Sequence, residues 1–138
     1  MTGLTKKGII ALTVSFLAVS AAAQQPVSAD RFADAVNHWN KEHGAQTYER
    51  YKPDRFREIA DNIVAYQNAD GGWPKNLDML ARLDPDSVKA ALKPRHRLST
   101  LDNANVYTQV EYLSNVYLLT GDTLYRNSAR RGMEYMLS

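Results

Sequence analysis

Apolar residues recur at helical spacing along most of this chain. Phe56, Ile59, Ala60 and Ile63 make one stripe, and Tyr66 prolongs it. Pro53 suits a first helical position and Asp70-Gly71-Gly72 a stop, so a helix is predicted between them. An earlier helix starts at Ser28 or Asp30, carries Phe32, Val36 and Trp39, and ends at Gly44. A short one opens at Asp84-Pro85 and runs to about Leu92, stopped by Lys93-Pro94 because the residue before proline avoids the helical region. From Thr100-Leu101-Asp102 a fourth helix places Val106, Val110, Leu113 and Tyr117 on one face. Thr120-Gly121-Asp122 is a turn whose glycine suits a helix end and whose aspartate caps the next helix. The fifth helix has Tyr125, Ala129, Met133 and Met136 as its stripe. Two long helices joined by three residues form an αα-hairpin. No segment alternates with period two, so the fold class is all-α, built of helical hairpins.

The first 23 residues differ from the rest. Lys6-Lys7 precede an apolar run from Gly8 to Val19, and Ala21-Ala22-Ala23 before Gln24 offers a small-x-small cleavage pattern. Residues 1–23 therefore read as a secretory signal peptide, with Val27-Ser28-Ala29 a second cleavage point, and the protein as secreted or periplasmic. A membrane anchor is the competing reading, but a span needs about 20 apolar residues.

The signal also changes the charge. The 138 residues carry 17 Lys+Arg and 15 Asp+Glu. Lys6 and Lys7 are the only charges in residues 1–23, so their removal leaves 15 of each sign. A balanced chain gives no support to a nucleic-acid partner. With no cysteine, zinc ribbons, thiol catalysis and disulfide frameworks are excluded, and a metal would need oxygen or histidine ligands.

Two loops carry candidate chemistry. Gly71-Gly72-Trp73-Pro74-Lys75-Asn76 places an indole, an ammonium and an amide within four residues, the groups that cover a sugar's C–H face and donate to its hydroxyls or carboxylate. Equally, Trp73 fits as a plug between helices and Lys75 as a solvated charge. Ser99-Thr100-Leu101-Asp102-Asn103 opens the fourth helix, with Asp102 either a capping carboxylate or, with Asn103, an oxygen ligand for a hard cation. One carboxylate does not make a Ca²⁺ site. Arg95-His96-Arg97 is a small basic cluster that suits an acidic polymer or plain solvation. His38 and His43 miss the spacing for zinc, and Ser99 and Ser114 lack a nucleophile elbow.

Asp61-Asn62-Ile63, Tyr66-Gln67, the Gly71 to Asn76 loop, Ser99 to Asn103, Thr108-Gln109, Tyr117, Thr120-Gly121-Asp122 and Tyr125-Arg126 occur in that order. Together they resemble the N-terminal part of the catalytic domain of family 10 pectate lyases over residues 54–138. Residues 24–53 carry no part of the likeness. The resemblance implies an (α/α)₃ toroid, incomplete in this chain, and Ca²⁺-dependent β-elimination of polygalacturonate. It implies a metal-binding role for Asp102 and substrate contacts for Trp73, Lys75, Asn76 and Asn103. The family's catalytic arginine and second metal-binding aspartate belong to its later half, and Arg126, Arg130 and Arg131 match ordinary surface charges. Ala104-Asn105-Val106-Tyr107 departs from the small residue and threonines usual there.

The expected organisation is thus a signal over 1–23 and, over 24–138, the N-terminal portion of a toroid. Arg131 to Ser138 stops at the end of an amphipathic helix without a cap. Residues 59–67 and 129–137 show a weak self-similarity in which Tyr66 falls opposite Tyr135 after a one-residue shift, and a second Gly-Gly-Trp-Pro loop is expected after Ser138. A chain of this extent is expected to be a monomer with little lyase activity, binding pectin and no nucleic acid, with no stable membrane insertion. A secreted, non-catalytic carbohydrate-binding helical protein is the alternative, and a toroidal hydrolase using paired carboxylates a weaker one.

Overall fold

The structure, a computed structural model, describes residues 27–44 and 48–138. The expected signal lies outside the described residues. Among those described, five α-helices and no strand are present: α1 (Ala33–His43), α2 (Phe56–Tyr66), α3 (Pro85–Ala91), α4 (Tyr107–Thr120) and α5 (Thr123–Leu137). The all-α expectation holds, and short 3₁₀ turns at Asp30–Phe32, Pro94–Arg97 and Asp102–Ala104 join the set. No helix among the described residues is long and apolar enough to cross a membrane.

The α4–α5 hairpin forms as its turn chemistry requires. Gly121 is left-handed at φ 70°, and its N–H donates to the Tyr117 carbonyl at 2.7 Å. The Asp122 carboxylate accepts from the Leu124 N–H at 2.9 Å, a side-chain cap. α2 packs against both helices of the hairpin and against α3. Ile59, Ala60, Ile63 and Tyr66 of α2 meet Leu113 and Val116 of α4 and Tyr125 and Ala129 of α5 in one core. Two polar groups at that core are paired: Tyr125 Oη donates to Asp61 at 2.8 Å, and burial followed by this contact pushes the phenol up to about 12. Asn62 donates to the Met79 and Ala81 carbonyls, both at 3.0 Å, which anchors the segment after the Gly71 to Asn76 loop.

Three boundaries or faces differ from the pattern-based expectation. α2 begins at Phe56, because Lys52-Pro53-Asp54-Arg55 closes a turn, Arg55 N–H to Lys52 O at 2.9 Å. Proline is favoured early in such a turn as well as in a helix. α4 begins at Tyr107, because Asn103, Ala104 and Val106 have positive φ and break the helical path. On α5 the buried positions are Tyr125, Ser128, Ala129 and Gly132, while Met133 is 44% exposed. The seat beside Trp73 goes to Gly132 because only a bare Cα fits there.

Trp73 explains this last shift. The side chain is buried (0% exposed), and its indole Nε1–H donates to the Ile63 carbonyl at 2.6 Å. α5 crosses the indole at Gly132, where a Cβ would lie 2.7 Å from Trp73 Cζ3 and 2.6 Å from a Val110 methyl. The expectation that Trp73 contacts substrate is corrected here: its ring is spent on α2 and α5, and a buried indole finds an internal acceptor.

Gly132→Ala is expected to destabilise the fold by about 1–3 kcal/mol through overpacking, outweighing alanine's better helix propensity. Thermal unfolding of the two proteins checks this, and an equal or higher Tm in the variant contradicts the packing described.

Candidate functional site

Both chemistry-bearing loops come together over α2 and α5. Gly71 has φ 94°, and a Cβ there would meet the Arg131 carbonyl oxygen at 2.4 Å, so the loop can lie on α5 only with glycine. Gln67 fixes the same contact from inside, donating to Gly71 O at 2.8 Å and Ser128 O at 2.9 Å while accepting from the Ser128 hydroxyl at 2.8 Å. Arg131 donates to the Asn68 carbonyl at 2.8 Å, so it is a tie between α5 and the loop rather than an ordinary surface charge.

The loops are then joined to each other. Pro74 and Ser99 form an isolated antiparallel bridge. Ser99 Oγ donates to Asp70 at 2.7 Å and accepts from Asn68 at 2.9 Å, which gives this serine a structural role. The Trp73 carbonyl accepts from Thr100 N–H at 3.3 Å and from the buried Asn105 side chain at 2.6 Å. Asn105 donates also to Thr100 O at 2.8 Å and accepts from Gln109 at 2.8 Å. Sequence reasoning passed over Asn105 as a departure from the family pattern, although its neighbour Thr108-Gln109 pair was visible.

This network holds residues 102–106 in an uncommon path. Asn103 has φ 57°, Ala104 φ 55° and Val106 φ 69°. Left-handed backbone is tolerable for asparagine, costlier for alanine and an outlier for β-branched valine. Such strain persists only where surrounding structure over-determines it, and it concentrates at binding and catalytic sites. Asn105 and the buried Val106 side chain supply that determination.

At the outer end of the turn, Lys75 Nζ donates to the Asp102 carboxylate. The Lys75 ammonium, by hydrogen bond and then by charge, holds the Asp102 carboxyl below the usual carboxylate range. Both side chains are about half exposed, so the pair stays open to a ligand. Asn103 is exposed beside Asp102, and Asn76, at φ 62°, follows Lys75 with its Oδ1 buried and unpaired. The site residues expected from sequence therefore divide. Lys75, Asn76, Asp102 and Asn103 cluster at one surface, and Trp73 supports them from beneath.

Of the basic cluster, Arg97 donates to the Ala90 and Leu92 carbonyls, both at 2.8 Å, and closes the C-terminal end of α3. Arg95 and His96 remain at the surface of an adjoining cleft.

Ca²⁺ takes 6–8 oxygen ligands. Asp102 offers one carboxylate already paired with Lys75, and among the described residues no three His, Asp or Glu side chains gather to hold a metal. By themselves these residues do not make a Ca²⁺ site. Their arrangement can bind an anion through Lys75 and hydroxyls through the asparagines and Asp102.

A family model described as pectic acid lyase matches residues 67–138, more than half of the chain. The matched span begins at Gln67 and contains both loops and the α4–α5 hairpin. No curated protein and no solved structure matches.

Replacing Lys75 by methionine is expected to raise the midpoint at which Asp102 titrates. The native carboxyl is depressed, so the pair's stabilisation is present above the unfolded midpoint and is lost as pH falls through the folded one. Carbon-13 NMR of the Asp102 carboxyl reads the change directly, and the same midpoint in both proteins contradicts the ion pair.

Proposed function

Taking as premise that the chain belongs to the pectic acid lyase family, we propose that its surface at Lys75, Asn76, Asp102 and Asn103 binds galacturonate units of pectic acid for β-elimination. The observation that carries this reading is the meeting of Lys75 with Asp102 at a strained, internally braced turn inside the matched span.

The reaction asks for stabilised negative charge at the uronate carboxylate while the C5 proton is removed and the 4-linked oxygen departs. An ammonium aimed at that carboxylate favours the charge that develops on it. Lys75 is positioned for that task once its contact with Asp102 opens to the substrate. Asp102 and Asn103 then accept from and donate to ring hydroxyls, and the braced backbone keeps them from relaxing away. The base that takes the C5 proton is not assigned to any residue of this chain. Ca²⁺ dependence, expected from the family resemblance, would need oxygen ligands besides Asp102.

The same reading takes the helices as hairpins of an α/α toroid and the protein as secreted or periplasmic. Carboxylate recognition is built into the described residues and a base is not identified among them, so binding of oligogalacturonate with slow turnover is expected of this chain alone.

Absorbance of unsaturated product formed from polygalacturonate, with and without added Ca²⁺, is the test, run beside calorimetric binding of trigalacturonate. Lys75→Met should weaken trigalacturonate binding by roughly 10-fold, as befits one charge-assisted hydrogen bond. Binding without product at either Ca²⁺ level favours a pectin-binding protein, and unaltered affinity in the variant rejects the assigned surface.

A further inference from the structure

The segment that leads into α1 belongs to the folded body. Val27 and Ala29, 6% and 9% exposed, join the core with Phe32, whose ring meets Tyr112 of α4 edge-on with centroids 5.5 Å apart. The Ala29 carbonyl accepts from the Phe32 N–H at 3.0 Å and closes the 3₁₀ turn Asp30–Phe32, from which α1 continues. Ser28 Oγ accepts from the Asp30 N–H at 3.3 Å, and Arg31 pairs with Glu111 of α4 at 3.0 Å. Residues 27–32 thus lie against the part of α4 that carries Gln109, the donor to Asn105.

These contacts bear on the two cleavage points that the sequence leaves open, after Ala23 and after Ala29. We infer that the leader is cut at the Ala23–Gln24 bond, so that the mature chain keeps Val27, Ser28 and Ala29. A cut after Ala29 would take Val27 and Ala29 out of the core and remove the acceptor of the Phe32 N–H. It would also set an α-ammonium on Asp30 at the start of a helical run, where the macrodipole disfavours positive charge. Once the chain has folded, the Ala29–Asp30 bond is closed to a peptidase, because Ala29 is buried and its carbonyl is engaged. The order of the sequence points the same way. Ala23 lies four residues past Val19, the end of the apolar run, and Ala29 lies ten past it. A peptidase working at the membrane face meets the residues just beyond that run. The step is a hydrolysis: water adds across the Ala23–Gln24 amide, leaving a carboxylate on Ala23 and an ammonium on Gln24. The assignment rests on the reading of the protein as exported and is independent of the pectic-acid surface.

Export of the full precursor from a bacterial host, followed by intact-mass measurement and N-terminal sequencing, is the test. The expected product is found outside the cytoplasm and begins at Gln24, free or cyclised with loss of ammonia. An exported product that begins at Asp30 or at any other residue, or that is uncleaved, overturns the assignment and leaves export standing. Uncleaved chain held in the cytoplasm overturns the export reading and the assignment with it. Val27→Thr in the same precursor tests the packing on which the choice rests, since it keeps the shape of the side chain and adds a hydroxyl. In the core that change should lower the Tm of the exported product by about 3 °C or more. An unchanged Tm places Val27 outside the core and overturns the inference.

Discussion

Burial of Trp73 is the interaction on which the rest of this structure depends. Its indole fills the space between α2 and α5, with Nε1–H on the Ile63 carbonyl and the six-membered ring under Gly132. Removing a buried tryptophan side chain costs about 3–5 kcal/mol, a large part of the stability of a small domain. The same residue's carbonyl receives Asn105 and Thr100, so the anchor of the core is also the anchor of the strained turn. Two residues further on, Lys75 emerges at the surface and meets Asp102. Packing, backbone strain and charge placement are thus three consequences of one buried ring.

That arrangement explains why a loop rich in glycine is well defined. Gly71 and Gly72 let the backbone approach α5 and Ser99 more closely than a Cβ allows. The approach is then locked by side chains that close onto backbone groups: Gln67 on Gly71, Arg131 on Asn68 and Asp70 on the Gly72 N–H. These three contacts tie the loop's backbone to its supporting helices, which is what an ordered binding surface needs.

The helices were legible in the sequence where local signals agree. Asp84-Pro85 starts α3, Gly121-Asp122 turns the hairpin, and the Phe56, Ile59, Ile63 stripe faces the core. Legibility failed where a tertiary contact decides. Periodicity ran a helix through residues 100–106, but positive φ at Asn103, Ala104 and Val106 breaks the path there, and the Asn105 side chain closes onto the Trp73 carbonyl instead. Met133 looked like a core residue by spacing, yet the indole beneath α5 accepts only glycine at the neighbouring position. Trp73 itself carried two readings, and its burial decides for the plug. Lys75, Asn76, Asp102 and Asn103 were visible as candidates, while their meeting at one surface depends on long-range pairing that no local pattern encodes.

Asn105 tests the central claim most directly, because it is buried and holds the turn to the Trp73 and Thr100 carbonyls from beneath. The measurement is the trigalacturonate dissociation constant of Asn105→Ala, taken with far-UV circular dichroism to establish that the helices persist. Positioning through Trp73 predicts a folded variant whose affinity at Asp102 and Asn103 falls by roughly 10-fold or more, since misplacement of a braced constellation is costly. A folded Asn105→Ala that binds trigalacturonate as tightly as the parent would contradict the account.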